Sequence, residues 1–170
     1  MELKDCIRAI PDFPKKGILF RDITTLLKDK KAFKKSVDAL VAKFKAKKID
    51  AVVAVESRGF ILGGAIAHKL GAGFVPVRKK GKLPWKTDSA TYELEYGTDT
   101  LEMHQDAISP KAKVLIVDDL LATGGTVKAV TELVKKQDGK IVGISFLIEL
   151  AGLKGREKLK GYPVFSLIKY

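Results

Sequence analysis

Val114-Leu-Ile-Val-Asp-Asp-Leu-Leu-Ala-Thr-Gly-Gly-Thr126 decides the reading of this chain. Four apolar residues, Val114 to Val117, run straight into the adjacent carboxylates of Asp118 and Asp119. The turn Ala122-Thr123-Gly124-Gly125-Thr126 follows, and then Val127, Val130, Leu133 and Val134 recur at helical spacing. The pattern predicts a buried strand over 113–117, a polar turn over 118–125 and a helix from about 126. Two neighbouring charges at the end of a buried strand are costly unless they are used. Carboxylates accept strong charge-assisted hydrogen bonds from vicinal hydroxyls. A glycine turn at a helix start aims backbone N–H groups at an anion. The stretch therefore implies a site for a phosphorylated ligand that carries hydroxyl groups. No lysine follows the glycines and no G-x-G-x-x-G is present, which excludes the P-loop and dinucleotide fingerprints.

Working outward, the same grammar repeats. Ala51–Val55 is a continuous apolar run, the mark of a central parallel strand, and Glu56-Ser57-Arg58-Gly59 is its turn. Phe60 to Leu70 reads as a helix ended by Gly71, and Phe74–Val77 as a second strand leading into the basic turn 78–82. Residues 83–100 form a long excursion in which Thr91–Tyr96 can pair with Thr100–His104 as a hairpin. Lys140–Ile148 and Val164–Ile168 are further strands, with a short helix at Leu153–Leu159. Upstream, residues 1–10 read as an amphipathic helix with Leu3, Ile7 and Ile10 on one side, ended by Pro11 and Pro14. Thr24 and Thr25 then stand as N-caps of a Lys-rich helix running to about Lys48. Strands alternating with helices predict one α/β domain over 1–170, an open, mainly parallel sheet with helices on both faces. Ligands bind such sheets beyond the carboxyl ends of the strands, where the turns 56–59, 78–82 and 118–125 should meet.

Composition limits the alternatives. With 46% hydrophobic residues the chain is not a disordered one, and no apolar run approaches the ~20 residues of a membrane helix. Met1 to Arg8 lacks an apolar core, so no secretory signal is expected there. Cys6 is the single cysteine, which rules out an intramolecular disulfide and makes the cytoplasm the default location. The net charge of +12 admits nucleic acid or a polyanionic small substrate as partner. Nine lysines lie between Lys28 and Lys48, but Phe33, Val37, Leu40, Val41 and Phe44 form an apolar stripe that most of them avoid. The aromatic residues there, Phe33 and Phe44, belong to that apolar stripe and are not interleaved with the lysines as stacking platforms, so a solvated helix face is the better reading.

Several motifs carry a resemblance across nearly the whole chain. Val114–Thr126 is similar to the phosphoribosyl-diphosphate (PRPP) motif of type I phosphoribosyltransferases. Phe20-Arg21-Asp22-Ile23, Glu56–Phe60, Arg78–Pro84, Tyr92–Gly97 and Leu153–Leu159 resemble, in order, segments of the adenine phosphoribosyltransferase family. The resemblance implies the reaction adenine + PRPP → AMP + diphosphate, with Mg²⁺ carried on the substrate near Asp118 and Asp119. It implies a small N-terminal hood over about 1–30 and a mobile catalytic loop over about 79–104.

The resemblance also implies residue roles. Asp118 and Asp119 would hold the ribose hydroxyls, and Ala122, Thr123, Gly124, Gly125 and Thr126 the 5′-phosphate. Ser57, Arg58 and Lys82 would hold the diphosphate, joined by Arg78 from the partner subunit of a homodimer. A strained or cis peptide is expected at Glu56–Ser57. Glu95 would be the acid/base, with Glu93 and Glu102 as competitors, and Tyr96 would help order the closed loop. Phe20 would stack on adenine while backbone groups of Leu19 and Arg21 read its 6-amino edge. His68 and His104 are expected to be structural or exposed. Two other readings share the PRPP motif. One is a PRPP-binding regulator that also binds nucleic acid; the other is a phosphoribosyltransferase for a different purine base.

Overall fold

The computed structural model describes residues 2–94 and 96–170, which fall into two compact units, Met1–Ala39 and Leu40–Tyr170. No helix among the described residues is long and apolar enough to cross a membrane.

The first unit starts differently from the expected helix. Leu3–Cys6 makes a single 3₁₀ turn, and the chain then extends into β1 (Arg8–Ile10), which pairs antiparallel with β2 (Phe20–Asp22). Leu3 and Ile7 are both buried, so the apolar spacing was real. The extended partner 12 residues away captured the segment, as tertiary pairing overrides weak helix propensity. The Phe13 ring stands edge-on to Phe20 at 5.1 Å.

The Lys-rich segment is two helices, α1 (Thr24–Lys28) and α2 (Lys30–Phe44). Asp29 breaks it: its carboxylate accepts the N–H groups of Lys31 (2.9 Å) and Ala32 (2.8 Å), an N-cap at α2. Those bonds hold the Asp29 carboxyl below the usual range. At α1 it is likewise an aspartate, Asp22, that accepts the N–H and hydroxyl of Thr24, not the threonines that cap. Lys30, Lys31, Lys34, Lys35 and Lys43 are exposed on α2 while Val37, Leu40, Val41 and Phe44 are buried, the solvated-face arrangement.

The second unit is a seven-stranded sheet. In order along the chain come β3 (Ala51–Val55), α3 (Arg58–Leu70), β4 (Gly73–Lys79), β5 (Thr87–Glu93) and β6 (Thr98–His104). Then follow β7 (Lys113–Leu121), α4 (Gly125–Lys136), β8 (Lys140–Glu149) and β9 (Val164–Lys169). The spatial order is β5-β6-β4-β3-β7-β8-β9. β4-β3-β7-β8-β9 are parallel throughout, and the β5–β6 hairpin adds antiparallel to β4.

Residues of β3 are buried on both faces. Val53 and Val55 pack in one cluster with Val127, Val130 and Val134 of α4. Gly63 of α3 lies against Ala54 and Phe74, where an added Cβ would stand 2.6 Å from the Ala54 methyl. Adjacent strand residues point to opposite faces, so α3 and α4 cover opposite sides. The chain leaves β3 for β4 on one side and returns as β7 on the other. The carboxyl ends of β3 and β7 thus flank the point where strand order reverses, where open α/β sheets bind ligands.

Two further expectations are corrected. Residues 118–121 are not turn: β7 continues to Leu121 because β8 runs alongside, with Leu120 opposite Ile148 and Leu121 opposite Glu149. Leu153–Leu159 is not one helix but two 3₁₀ turns, Ala151–Leu153 and Gly155–Leu159, split by Lys154 at φ 54°.

Candidate active site

The three turns do converge. Val55, Glu56, Ser57, Arg58, Lys79, Tyr92, Leu101, Asp118, Asp119, Leu120, Ala122 and Thr126 line one cleft of about 390 Å³. It opens at the carboxyl ends of β3, β4 and β7, as the strand–turn pattern requires.

Asp118 and Asp119 form its floor and are 9% and 7% exposed. Asp118 accepts the Asp119 N–H at 2.9 Å. Burial, and then the neighbouring Asp119 charge, push the Asp118 carboxyl well above its ordinary value. Across the switch point, Arg58 Nε meets Asp119 Oδ2 at 2.8 Å. Arg58 opens α3 immediately after a cis Glu56–Ser57 peptide, where one was expected. Gly59 next to it is obligatory by contact: a Cβ there would lie 2.8 Å from Asp118 Oδ1.

The 122–126 loop is held by backbone. Gly124 sits at φ +84°, and a Cβ on it would meet the Gly155 carbonyl at 2.5 Å. Gly155 in turn rests against the Ala122 carbonyl. Two glycines let two backbones touch, so the Leu153–Leu159 segment props the loop from behind. Glu149 fixes that prop, accepting Arg156 Nε and Nη2 at 2.8 Å each, while Arg156 Nη1 donates to the Val164 carbonyl. The Arg156 hydrogen bonds keep the Glu149 carboxyl below its usual range despite burial. From Gly125 the chain enters α4, and the Lys128 N–H donates to the Gly124 carbonyl. Thr123 is exposed; Ala122 and Thr126 are half-buried and face the cleft.

Glu56 is the residue that sequence reasoning quoted but gave no role. Its carboxylate accepts the Lys79 N–H (2.7 Å), Arg78 Nε and Nη2 (3.1 and 3.0 Å) and Lys82 Nζ (3.4 Å). Burial works against its charge, but the Lys79 N–H and the Arg78 guanidinium outweigh it and leave the carboxyl below its usual range. Arg78 and Lys82, two of the expected diphosphate ligands, therefore rest on a carboxylate of their own chain. The signal that could have exposed this was a lone acid at the mouth of a basic site, directly after a buried strand.

The hairpin flanks the cleft. Lys79 pairs with Asp99 at 2.9 Å, and the Tyr92 hydroxyl donates to Asp99 at 3.4 Å. Sequence reasoning did not single out Tyr92 as a cleft residue. Glu102, one competitor for acid/base, is buried and accepts the Gly81 N–H at 3.0 Å, a structural task. Glu93, the other, ends β5 exposed. Glu95 lies outside the described residues; Tyr96 beside it is 79% exposed. His104 accepts the Trp85 N–H, the structural use expected of it. Leu19, Phe20 and Arg21 belong to the first unit, with Leu19 exposed and Phe20 and Arg21 in β2. Among the described residues no group of three His, Cys, Asp or Glu side chains could hold a metal ion.

Comparison with known proteins agrees with this geometry. A family model described as phosphoribosyl transferase domain matches residues 24–169. The adenine phosphoribosyltransferase of Brachyspira hyodysenteriae is 61% identical over 170 residues, all of both chains. That of Clostridium tetani is 58% identical, covering 100% of this chain and 99% of the relative. The crystal structure of the Thermoanaerobacter pseudethanolicus enzyme superposes with a TM-score of 0.96 at 55% identity, covering 99% and 98% of the two chains. The Saccharomyces cerevisiae enzyme, crystallised with adenine and an imino-altritol bisphosphate, gives 0.93 at 44% identity over 97% and 96%. The chain belongs to the phosphoribosyltransferase family, among the adenine phosphoribosyltransferases.

Proposed function

We propose that this chain transfers the 5-phosphoribosyl group of PRPP to adenine, giving AMP and diphosphate in purine salvage. One observation carries the reading: two buried aspartates at the end of β7 lead into a glycine loop and helix, with Arg58 bridging from β3. The aspartates suit vicinal ribose hydroxyls, and the N–H groups of 123–126 at the start of α4 suit the 5′-phosphate. The C1′–N9 bond forms as the C1′–O bond to diphosphate breaks, and the N9 proton passes to Glu95. Charge develops on the leaving diphosphate, facing Ser57, Arg58 and Lys82 at the cleft rim. Mg²⁺ arrives bound to PRPP; the hard carboxylate oxygens of Asp118 and Asp119 suit it, and two side chains are too few for a resident metal site. Bending of the outer part of the 79–104 segment, with Tyr96 near its tip, excludes water from the activated ribose, while its base stays paired to β4. Phe20 stacks on the base, and the backbone at Leu19 and Arg21 selects the 6-amino group.

The reading extends to a cytoplasmic homodimer in which Arg78 enters the partner's site. Its guanidinium rests on Glu56 here, so that entry opens this ion pair first. One assay tests the activity: PRPP, Mg²⁺ and each of adenine, hypoxanthine, guanine and xanthine, with nucleotide measured. AMP from adenine and little product from the others is expected. Product from another base alone would assign a different purine, and PRPP binding with no product would point to a regulator.

A further inference from the structure

We infer that Glu56 is a resting counter-ion for the diphosphate clamp, a carboxylate that holds Arg78 and Lys82 until a polyanion displaces it. The inference rests on the proposed diphosphate role of those two cations. Glu56 follows directly after β3, with its side chain only 9% exposed, inside the cleft wall. One oxygen is committed to the Lys79 N–H at 2.7 Å, which fixes the carboxylate in place. The other oxygen collects three cationic donors, two from Arg78 and one from Lys82.

These cations come from β4 and the turn after it, 22 and 26 residues away in sequence, so their convergence is built by the fold. Arg78 is half-buried and Lys82 exposed, so both can swing away. Glu56 cannot follow them, because the Lys79 N–H anchors it. A second cation–carboxylate pair lies in the same cleft: Arg58 on Asp119. Each cation thus leaves a fixed carboxylate when the ligand arrives. The incoming anion has to displace these charge-assisted hydrogen bonds. Diphosphate and PRPP carry enough charge to do so; a single small anion does not. The device also favours departure of diphosphate after transfer, since Glu56 re-takes the cations.

The experiment compares wild type, Glu56→Gln and Lys82→Ala, measuring inhibition by Mg²⁺-diphosphate against PRPP. Glutamine keeps the shape and the acceptor for the Lys79 N–H but loses the charge. Glu56→Gln should tighten diphosphate about ten-fold, the size of one charge-assisted bond, and make inorganic phosphate a measurable inhibitor. Lys82→Ala should weaken diphosphate. A merely structural Glu56 would give loss of affinity, since damage to a site does not tighten it. If Lys82→Ala weakens diphosphate while Glu56→Gln leaves it unchanged or weaker, the counter-ion role is overturned and the diphosphate site stands. If Lys82→Ala has no effect, the clamp reading fails and takes the inference with it. Should Glu56→Gln fold poorly by thermal melting, Glu56→Asp decides on the same criterion, since its shorter side chain withdraws from Lys82.

Discussion

Residues 113–126 and the hairpin 87–104 border the same cleft and are built in opposite ways. The first is backbone against backbone: β7 between β3 and β8, then Gly124 seated on Gly155. The hairpin's base also joins the sheet, with β6 pairing to β4 and Ala90, Leu101 and Met103 buried, but its outer part leans on side chains. Its body is held to α4 by Lys136 on the Ser89 carbonyl and by Gln137, which bonds Asp88, the His104 carbonyl and the Ile108 N–H. Toward its tip the Tyr92 hydroxyl and the Lys79–Asp99 pair are what reach the cleft. Backbone packing gives a site fixed before the ligand arrives, and side-chain polar contacts give an element that can be released. The ribose and phosphate cradle is therefore expected to be pre-formed, while chemistry waits on the hairpin.

The largest expected effect separates the two regions by kinetics. Glu95→Ala should lower kcat by about 10²–10⁴-fold, the usual worth of general acid–base catalysis, with PRPP affinity nearly intact. Loss of PRPP affinity in place of kcat would make Glu95 a ligand of the cradle. Next is Gly124→Ala. The left-handed backbone and the contact with the Gly155 carbonyl should together cost about 2–4 kcal/mol in urea unfolding. PRPP binding should fall with it, and a neutral outcome would show that the two backbones are not in contact.

Acid should find the prop behind the cradle. The Glu149 carboxyl is depressed in the fold, chiefly by Arg156. Its stabilisation is complete above the unfolded value of about 4.3 and is lost as pH falls through the lower folded one. Glu149→Gln should cost about 1–2 kcal/mol at neutral pH, after allowing for solvent screening of the half-exposed Arg156, and flatten the acid dependence of the urea midpoint. Parallel curves for variant and wild type would contradict this. The smallest effect is at the other region: Gln137→Ala should cost about 1 kcal/mol and speed proteolysis within 87–104. Cleavage at an unchanged rate would mean Gln137 does not hold the hairpin.

The two regions also differed in how far the sequence disclosed them. The strand, acid pair and glycine turn of 114–126 are adjacent in sequence, so periodicity and turn chemistry sufficed. Even there, the extension of β7 to Leu121 depends on β8 as a neighbour, which no local pattern carries. The hairpin's pairing was visible at Thr91 and Thr100, but its anchor is not. Gln137 reaches Ile108, His104 and Asp88 across 29, 33 and 49 residues. Glu56 eluded the same reasoning, since its burial and its cationic partners exist only once β4 lies beside β3. Residues 1–10 read as a helix for a similar reason: β2 lies beyond the two prolines that seemed to end it.

Amide hydrogen exchange, with and without Mg²⁺-PRPP, tests the central claim most directly. The account expects the 113–121 amides and those of α4 to exchange slowly already in the free protein. Added protection should concentrate in 87–104. Fast exchange across 113–121 in the free protein, with protection appearing there only on PRPP binding, would show that the cradle is made by its ligand and would contradict the account.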